Sequence, residues 1–303
     1  MFNKKSYELH AAWYNRQFPD AVAKRSYLSR YSQSDDDIGS WLQQLFFSCL
    51  DPLLKQKDQH WLSIGDAYGF DAAYILGKGN RAVASDLNTD FLTLAWEEGI
   101  VTDFSAQNAE QLGYLDGAFD YLLCKESYHH FPRPYAALYE MIRVASKAIV
   151  LIEPQDPISK MPGLLWVTNI LSVLGRNLIG KVWKNRFSYE PVGNFVYKVS
   201  EREMEKFAAG LGLPLLAFKK INPNFYFKGA ETVKAELRNP KFLKIRLRKG
   251  LADLLVKLRL IPSQVLCAVI FKELPGDPLL KELKTGGYEL LYIPQNPYVK
   301  GQT

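Results

Sequence analysis

The turn Gly65-Asp66-Ala67-Tyr68-Gly69 directly follows an apolar run, Trp61-Leu62-Ser63-Ile64. Small residues at a turn let the backbone approach a bound ligand closely. About 20 residues further on, Asp86 closes a second apolar run, where a carboxylate can accept both hydroxyls of a ribose. A third group follows another apolar run: Lys125, Glu126, His129 and His130. Histidine ordinarily titrates near 6.5, so a fraction is free to take a proton at neutral pH. Glu153 closes a further apolar run. These residues could bind a ribose-bearing ligand and move a proton beside it.

The elements that must hold them can be read from rhythm. Short apolar runs alternate with helical stretches. Strands are expected at Trp61–Gly65, Arg81–Asp86, Val101–Ala106, Phe119–Cys124, Ala148–Glu153, Leu215–Phe218 and Gln264–Phe271. Helices are expected at Asp71–Leu76, Thr89–Glu98 and Tyr135–Val144. This alternation argues for an α/β fold, a doubly wound parallel sheet of seven strands. Ligands of such sheets collect at the carboxyl ends of the strands. Asp35-Asp36-Asp37 precedes an apolar run of helical period and marks a helix start. Ser200, with Glu203 three residues on, reads as a capping box. Pro154, Pro157 and Pro162 break the alternation. The expected division is an N-terminal helical cap (1–57), a Rossmann-like core (58–153), an aromatic and apolar insert (154–197), the rest of the core with a basic helical insert at 229–260 (198–273), and a tail (274–303).

Composition narrows the class. The 303 residues are 48% hydrophobic and 23% charged, which excludes a disordered chain, a collagen and a coiled coil. Three scattered cysteines exclude a disulfide scaffold and a Cys-cluster zinc site, and suggest a reducing compartment. No metal is expected. The start lacks an apolar core, so no secretory signal is expected, and Met161–Ile179 is too interrupted to span a bilayer. A cytoplasmic location is the expectation. The net charge of +6 admits an anionic partner. No recognition motif accompanies it, so nucleic acid is disfavoured.

The pyrophosphate fingerprint G-x-G-x-x-G would require glycines where Ala67 and Phe70 stand, which argues against a nicotinamide enzyme. The spacing G-x-(G/A)-x-G belongs to sites for S-adenosylmethionine (SAM), which has no phosphate. Trp61–Gly69, Ser85-Asp86, Asn108-Ala109-Glu110-Gln111-Leu112 and Gly117–Phe131 fall in the order and spacing of class I SAM-dependent methyltransferases. Residues 58–153 resemble the small-molecule branch that includes ubiquinone and menaquinone biosynthesis enzymes. The resemblance implies a Rossmann-like methyltransferase sheet whose helical additions cover the acceptor side. It implies S-adenosyl-L-methionine as cofactor, with Gly65, Ala67 and Gly69 along its methionine side. Asp86 would bind the ribose, Leu87 would pack on the adenine, and Asn108-Ala109 would meet the adenine edge. Lys125 and Glu126 would lie near the transferable methyl. Ser63 stands where the family has an acidic residue near the SAM amino group, and Ala67 where it has glycine.

Methyl transfer is an in-line displacement at a sulfonium, so the enzyme mainly aligns the acceptor and excludes water. A hydroxyl acceptor also needs its proton removed. His129 is the expected base, with Glu153 and Glu126 as competing carboxylates. His130 is expected to be a structural hydrogen-bonder. The expected acceptor is a small molecule or a glycan-like or lipid-linked precursor, with oxygen slightly favoured. A methyltransferase-like scaffold without catalysis is the alternative, motivated by Ser63 and Ala67. The aromatics Trp166, Trp183, Phe187, Tyr189, Phe195, Tyr197 and Phe225-Tyr226-Phe227 could form a lid, an acceptor pocket or a second core, and Asn194 and Asn224 could bond a polar acceptor. The basic run Lys241–Arg259 reads as a solvated surface helix, with peripheral contact to an anionic membrane as the second reading.

Overall fold

A computed structural model of the chain describes residues 2–33, 36–156, 161–175, 187–190 and 194–298. Pro157 and Trp183 lie outside the described residues, as does Asp35. The strands are β1 (His60–Ile64), β2 (Arg81–Asp86), β3 (Phe104–Ala106), β4 (Phe119–Lys125), β5 (Ala145–Pro154), β6 (Leu215–Ile221), β7 (Val265–Phe271) and β8 (Glu289–Tyr292). They form one eight-stranded sheet in the order β3-β2-β1-β4-β5-β7-β6-β8.

Strands β1 to β5 pair in parallel. The expected doubly wound sheet is present, with two differences in detail from seven parallel strands. β7 runs antiparallel between β5 and β6, and an eighth strand, β8, pairs antiparallel with β6 at the edge. Every residue of β7 is buried. A strand buried on both faces is a continuous apolar run in either direction, so its sequence carries no sign of polarity. β8 is four residues long, too short to display an alternation.

The helices are α1 (Phe2–Gln17), α2 (Ala21–Gln33), α3 (Ile38–Phe47), α4 (Asp51–Leu54), α5 (Phe70–Gly77), α6 (Asp90–Glu97), α7 (Pro134–Val144), α8 (Pro162–Leu174), α9 (Glu201–Leu211), α10 (Pro240–Lys257) and α11 (Asp277–Thr285). Their ends follow local chemistry. Asp37 caps α3 by accepting the Ser40 N–H at 2.8 Å. Ser200 caps α9 by accepting the Glu203 N–H at 3.2 Å, and Gly212 ends that helix in a left-handed turn.

Two apolar layers sandwich the sheet. One joins α5, α6 and α11 to the sheet through Ile75, Leu92 and Leu283. The other joins α7 and α9 through Leu138, Met141, Met204 and Ala208. A third, smaller cluster seats α10 against α3: Phe242 and Ile245 pack with Ile38, Leu42 and Ala230.

Candidate active site

The strand order reverses between β1 and β4, and at such a switch point the loops diverge and open a crevice. A cleft of about 1710 Å³ lies there, floored by the ends of β1, β2 and β4 and walled by α1, α3 and Glu190. An ordinary small-molecule pocket is roughly 300–1,000 Å³. The cleft therefore has room for two ligands side by side.

The turn after β1 forms one end. Gly65 adopts φ +68, and a Cβ there would stand 2.5 Å from the Cβ of Ser127. Ser127 Oγ donates to the Gly65 carbonyl at 2.8 Å, tying the β1 turn to the β4 turn. The Asp66 carboxylate accepts the N–H groups of Ala72 (2.9 Å) and Asp71 (3.3 Å) at the start of α5. The Asp86 carboxylate, at the end of β2, accepts the Asn88 N–H at 2.8 Å. Burial pushes Asp86 up to about 6. The second helix and the link before it press on this end through aromatic rings: Tyr27 lies 4.7 Å from Tyr68, and Phe18 lies 4.8 Å from Phe91. Tyr14 packs edge-on against Tyr68.

Charged groups occupy the centre. Lys125 Nζ lies 3.0 Å from Asp71. Burial opposes the lysine's charge, but Asp71 outweighs burial and its pKa is raised. Burial, with Asp71 nearby, pushes Asp66 up to about 7. Glu126 is likewise pushed up to about 7, by burial and then by Glu153. Its backbone is left-handed, φ +53, and its Oε1 is buried without a hydrogen-bond partner among the described residues. A strained residue that carries an orphaned carboxylate into a cleft is a group for a ligand to complete.

The two histidines part company on a short 3₁₀ turn, Tyr128–His130. His129 points inward, its Nδ1 2.6 Å from Oε2 of the fully buried Glu153. The other Glu153 oxygen accepts the N–H groups of Ser127 (2.9 Å) and Tyr128 (2.8 Å). Burial lowers the His129 pKa, but Glu153 more than offsets it, so the net shift is upward. His130 lines the cleft. Its Nδ1 lies 2.6 Å from Glu190 Oε2, out of line for a hydrogen bond. No group among the described residues bonds its Nε2. Its ring meets that of His10 edge-on at 5.0 Å. Asn194 Nδ2 donates to His10 Nε2 at 2.7 Å and to the His130 carbonyl at 3.0 Å. Burial, and then His130, holds His10 down to about 4. His10, His130 and Glu190 each offer a ligand atom, all within 4.8 Å of one another. Two imidazoles and a carboxylate could hold a divalent transition ion.

Of the residues expected from sequence, Gly65, Ala67, Asp86, Leu87, Asn108, Ala109, Lys125 and Glu126 line the cleft. Ser63, Gly69, His129 and Glu153 do not line it. Ser63 is fully buried within β1. Gly69 faces away: a Cβ there would meet Val101 Cγ1 at 2.7 Å, not a ligand. Glu153 is taken up by His129 Nδ1 and the backbone of the β4 turn, while His129 Nε2 lies 4.0 Å from Glu190 Oε1. Of the two histidines it is the second that lines the cleft, because the inward carboxylate captures the first of the pair. Sequence reasoning also missed His10, Tyr14 and Glu190. They come from distant stretches of chain with no motif of their own.

Residues 62–152 match the family model described as "Methyltransferase domain". These residues are a SAM-dependent methyltransferase domain. No curated protein matches the sequence. Among solved structures, the chain is similar to the YcgJ protein from Bacillus subtilis at 18% identity and TM-score 0.47, over 74% of this chain and 98% of that one. It is also similar to the Burkholderia thailandensis 1,6-didemethyltoxoflavin-N1-methyltransferase, crystallised with 1,6-didemethyltoxoflavin and S-adenosylhomocysteine. There the identity is 15% and the TM-score 0.47, over 83% of this chain and 88% of that one.

The methyltransferase cleft fits SAM by its own geometry. The left-handed turn at Gly65 presents backbone to the cleft, where a side chain would collide with Ser127. The Asp86 carboxylate can accept two ribose hydroxyls. Leu87, 50% exposed beside it, offers an apolar face to a base. Asp66 and Glu126, with raised carboxyls, suit a ligand that brings an ammonium and a sulfonium.

Two predictions arise here. Asp86→Ala should weaken SAM binding by about 1.5–3 kcal/mol, the scale of hydrogen bonds to a charged group. In the parent protein, affinity should fall as pH drops through about 7 and again through about 6, as Asp66 and Glu126 and then Asp86 lose their charge, and Asp86→Ala should lose the lower step. Calorimetric titration from pH 5 to 8 checks both, and a flat profile with unchanged affinity in the variant would remove Asp86 from the ribose. Separately, Gly69→Val should lower fold stability by about 2–5 kcal/mol, through strain at φ +78 and overlap with Val101. An unchanged thermal midpoint would contradict that placement.

Proposed function

We propose that the protein transfers a methyl group from SAM to a hydroxyl of a small-molecule, glycan-like or lipid-linked acceptor, with His130 as the base. The observation that carries this reading is the single cleft that joins the Asp86 end to the Glu126, His130 and Glu190 end. SAM, when bound, supplies an activated methyl electrophile. The chain's own residues do the rest. Asp86 and the Gly65 turn orient the donor. Asp66 and Glu126 supply the negative charge that Ser63 does not. His130 takes the acceptor's proton at Nε2, and Glu190, 2.6 Å from Nδ1, stabilises the imidazolium that forms. Tyr14 from α1 and Phe46 and Phe47 from α3 wall the cleft against water.

The test is transfer of labelled methyl from SAM to cell extracts separated into polar, glycan and lipid-soluble fractions. An alkali-stable methyl ether in one fraction is the expected product. Label on nitrogen or carbon would replace the O-methyl reading. Tight SAM binding with no transfer to any fraction would favour the non-catalytic alternative that Ser63 and Ala67 suggest.

A further inference from the structure

The outward face of α10 is apolar. At about 100° per residue, Leu243, Leu247, Leu251, Leu254 and Leu258 fall within an arc of ~80°. All five are exposed, from 42% at Leu243 to 66% at Leu247. They are not a core stripe turned the wrong way. The opposite face already carries Phe242 and Ile245, which seat the helix on α3 and the turn at Ala230–Thr232. The helix therefore has two apolar faces, one used by the protein and one left over.

Two cationic edges separate these faces. By the same helical spacing, Lys241, Lys244 and Arg248 run along one side of the leucines and Arg246 and Lys257 along the other. Among the described residues, Lys244, Arg246, Arg248 and Lys257 make no ion pair. The pair that α10 does form, Lys249 to Asp253 at 2.7 Å, lies toward the protein side. A leucine stripe bordered on both sides by unpaired cations matches a surface that is apolar below and anionic above. It does not match a second copy of α10, which would bring cationic edge against cationic edge.

We infer that α10 docks the protein on an anionic lipid surface. The leucines enter the boundary between headgroups and acyl chains, and the flanking lysines and arginines contact lipid phosphates. Each cation held near such a surface strengthens binding roughly fivefold. The inner face of α10 rests on α3, and α3 walls the cleft through Gly39, Ser40 and Gln43. Docking therefore brings the cleft wall within one helix layer of the headgroups. If the methyl-transfer reading holds, that geometry selects the lipid-linked acceptor among the three classes.

The full chain should be sedimented with phosphatidylcholine vesicles, with and without phosphatidylglycerol, at low and high salt. Binding is expected to be at least ~10-fold tighter to the anionic vesicles and to decline as salt rises. The triple variant Leu247→Gln, Leu251→Gln, Leu254→Gln should bind at least ~10-fold more weakly. Its thermal midpoint and SAM affinity should match the parent, because these side chains are exposed. Lys244→Glu with Arg248→Glu should abolish the preference for anionic lipid. No vesicle binding at low salt would overturn the inference, as would a triple variant that binds like the parent. Concentration-dependent dimers that the triple variant disperses would overturn it in favour of a second copy. SAM affinity, measured on the same preparations, keeps this result separate from the fate of the methyl-transfer reading.

Discussion

His130→Ala is expected to slow single-turnover methyl transfer by about 10²–10⁴-fold and to leave SAM affinity unchanged. The expectation rests on position. His130 lines the cleft, its Nε2 is unbonded among the described residues, and its Nδ1 faces Glu190 at 2.6 Å. A hydroxyl acceptor holds its proton tightly and gains most from a base as the oxygen attacks. Glu190→Gln should retain the ring's place but lose the charge that steadies the imidazolium, and should slow transfer less than His130→Ala. His129→Ala serves as the contrast. Its ring is buried, its Nδ1 is held by Glu153 at 2.6 Å, and it does not line the cleft, so it is out of reach of an acceptor there. The measurement is rapid-quench transfer from pre-bound SAM, with affinity read in parallel. Parent-like turnover in His130→Ala would discard the assignment, and loss of SAM binding in that variant would make the residue part of the donor site.

Glu153→Ala should destabilise the fold by about 3–5 kcal/mol, the scale of breaking a buried ion pair by removal of one partner. The carboxylate is fully buried and holds the Ser127 N–H, the Tyr128 N–H and the His129 ring at once. Without it, two backbone donors and the His129 ring lose their buried partner. Glu153→Gln keeps an oxygen for the backbone donors but not the charge for His129, so its loss should be smaller. Chemical denaturation of the three proteins checks the order. A Glu153→Ala protein that is fully stable yet inactive would return Glu153 to the list of bases.

The turn and strand ends that floor the cleft were legible in the sequence, and the groups that wall its other end were not. Gly65, Ala67 and Asp86 sit in one continuous pattern of strand, turn, helix and strand. The spacing of such a pattern is set by local geometry, so reading along the chain finds it. β2 was expected at Arg81–Asp86 and is found there, because an apolar run that closes on an acidic residue before a turn has little freedom. The same local logic placed the helix starts at Asp37 and Ser200. Gly69 shows the limit. Its left-handed turn was readable as a need for glycine, but whether it faced a ligand or Val101 depended on a neighbour from another strand–helix unit.

What the sequence determined by itself is therefore local: the parallel half of the sheet, the glycine turn, the carboxylate that closes β2 and the caps. What only the tertiary structure decided concerns direction and company. The spacing of two adjacent histidines does not say which ring turns inward, and here Glu153 draws His129 into the core and leaves His130 beside Glu190 in the cleft. His10 and Glu190 come to the same site from opposite ends of the parallel half, with no shared spacing to announce them. The leucines of α10 have the period of a core face, but the helix is already seated through Phe242 and Ile245, so the stripe points outward. In each case the deciding term is a contact between residues far apart in the chain. Hydrogen-bond capture and apolar packing act on side chains in space, and periodicity along one strand or helix does not encode which neighbour will be there.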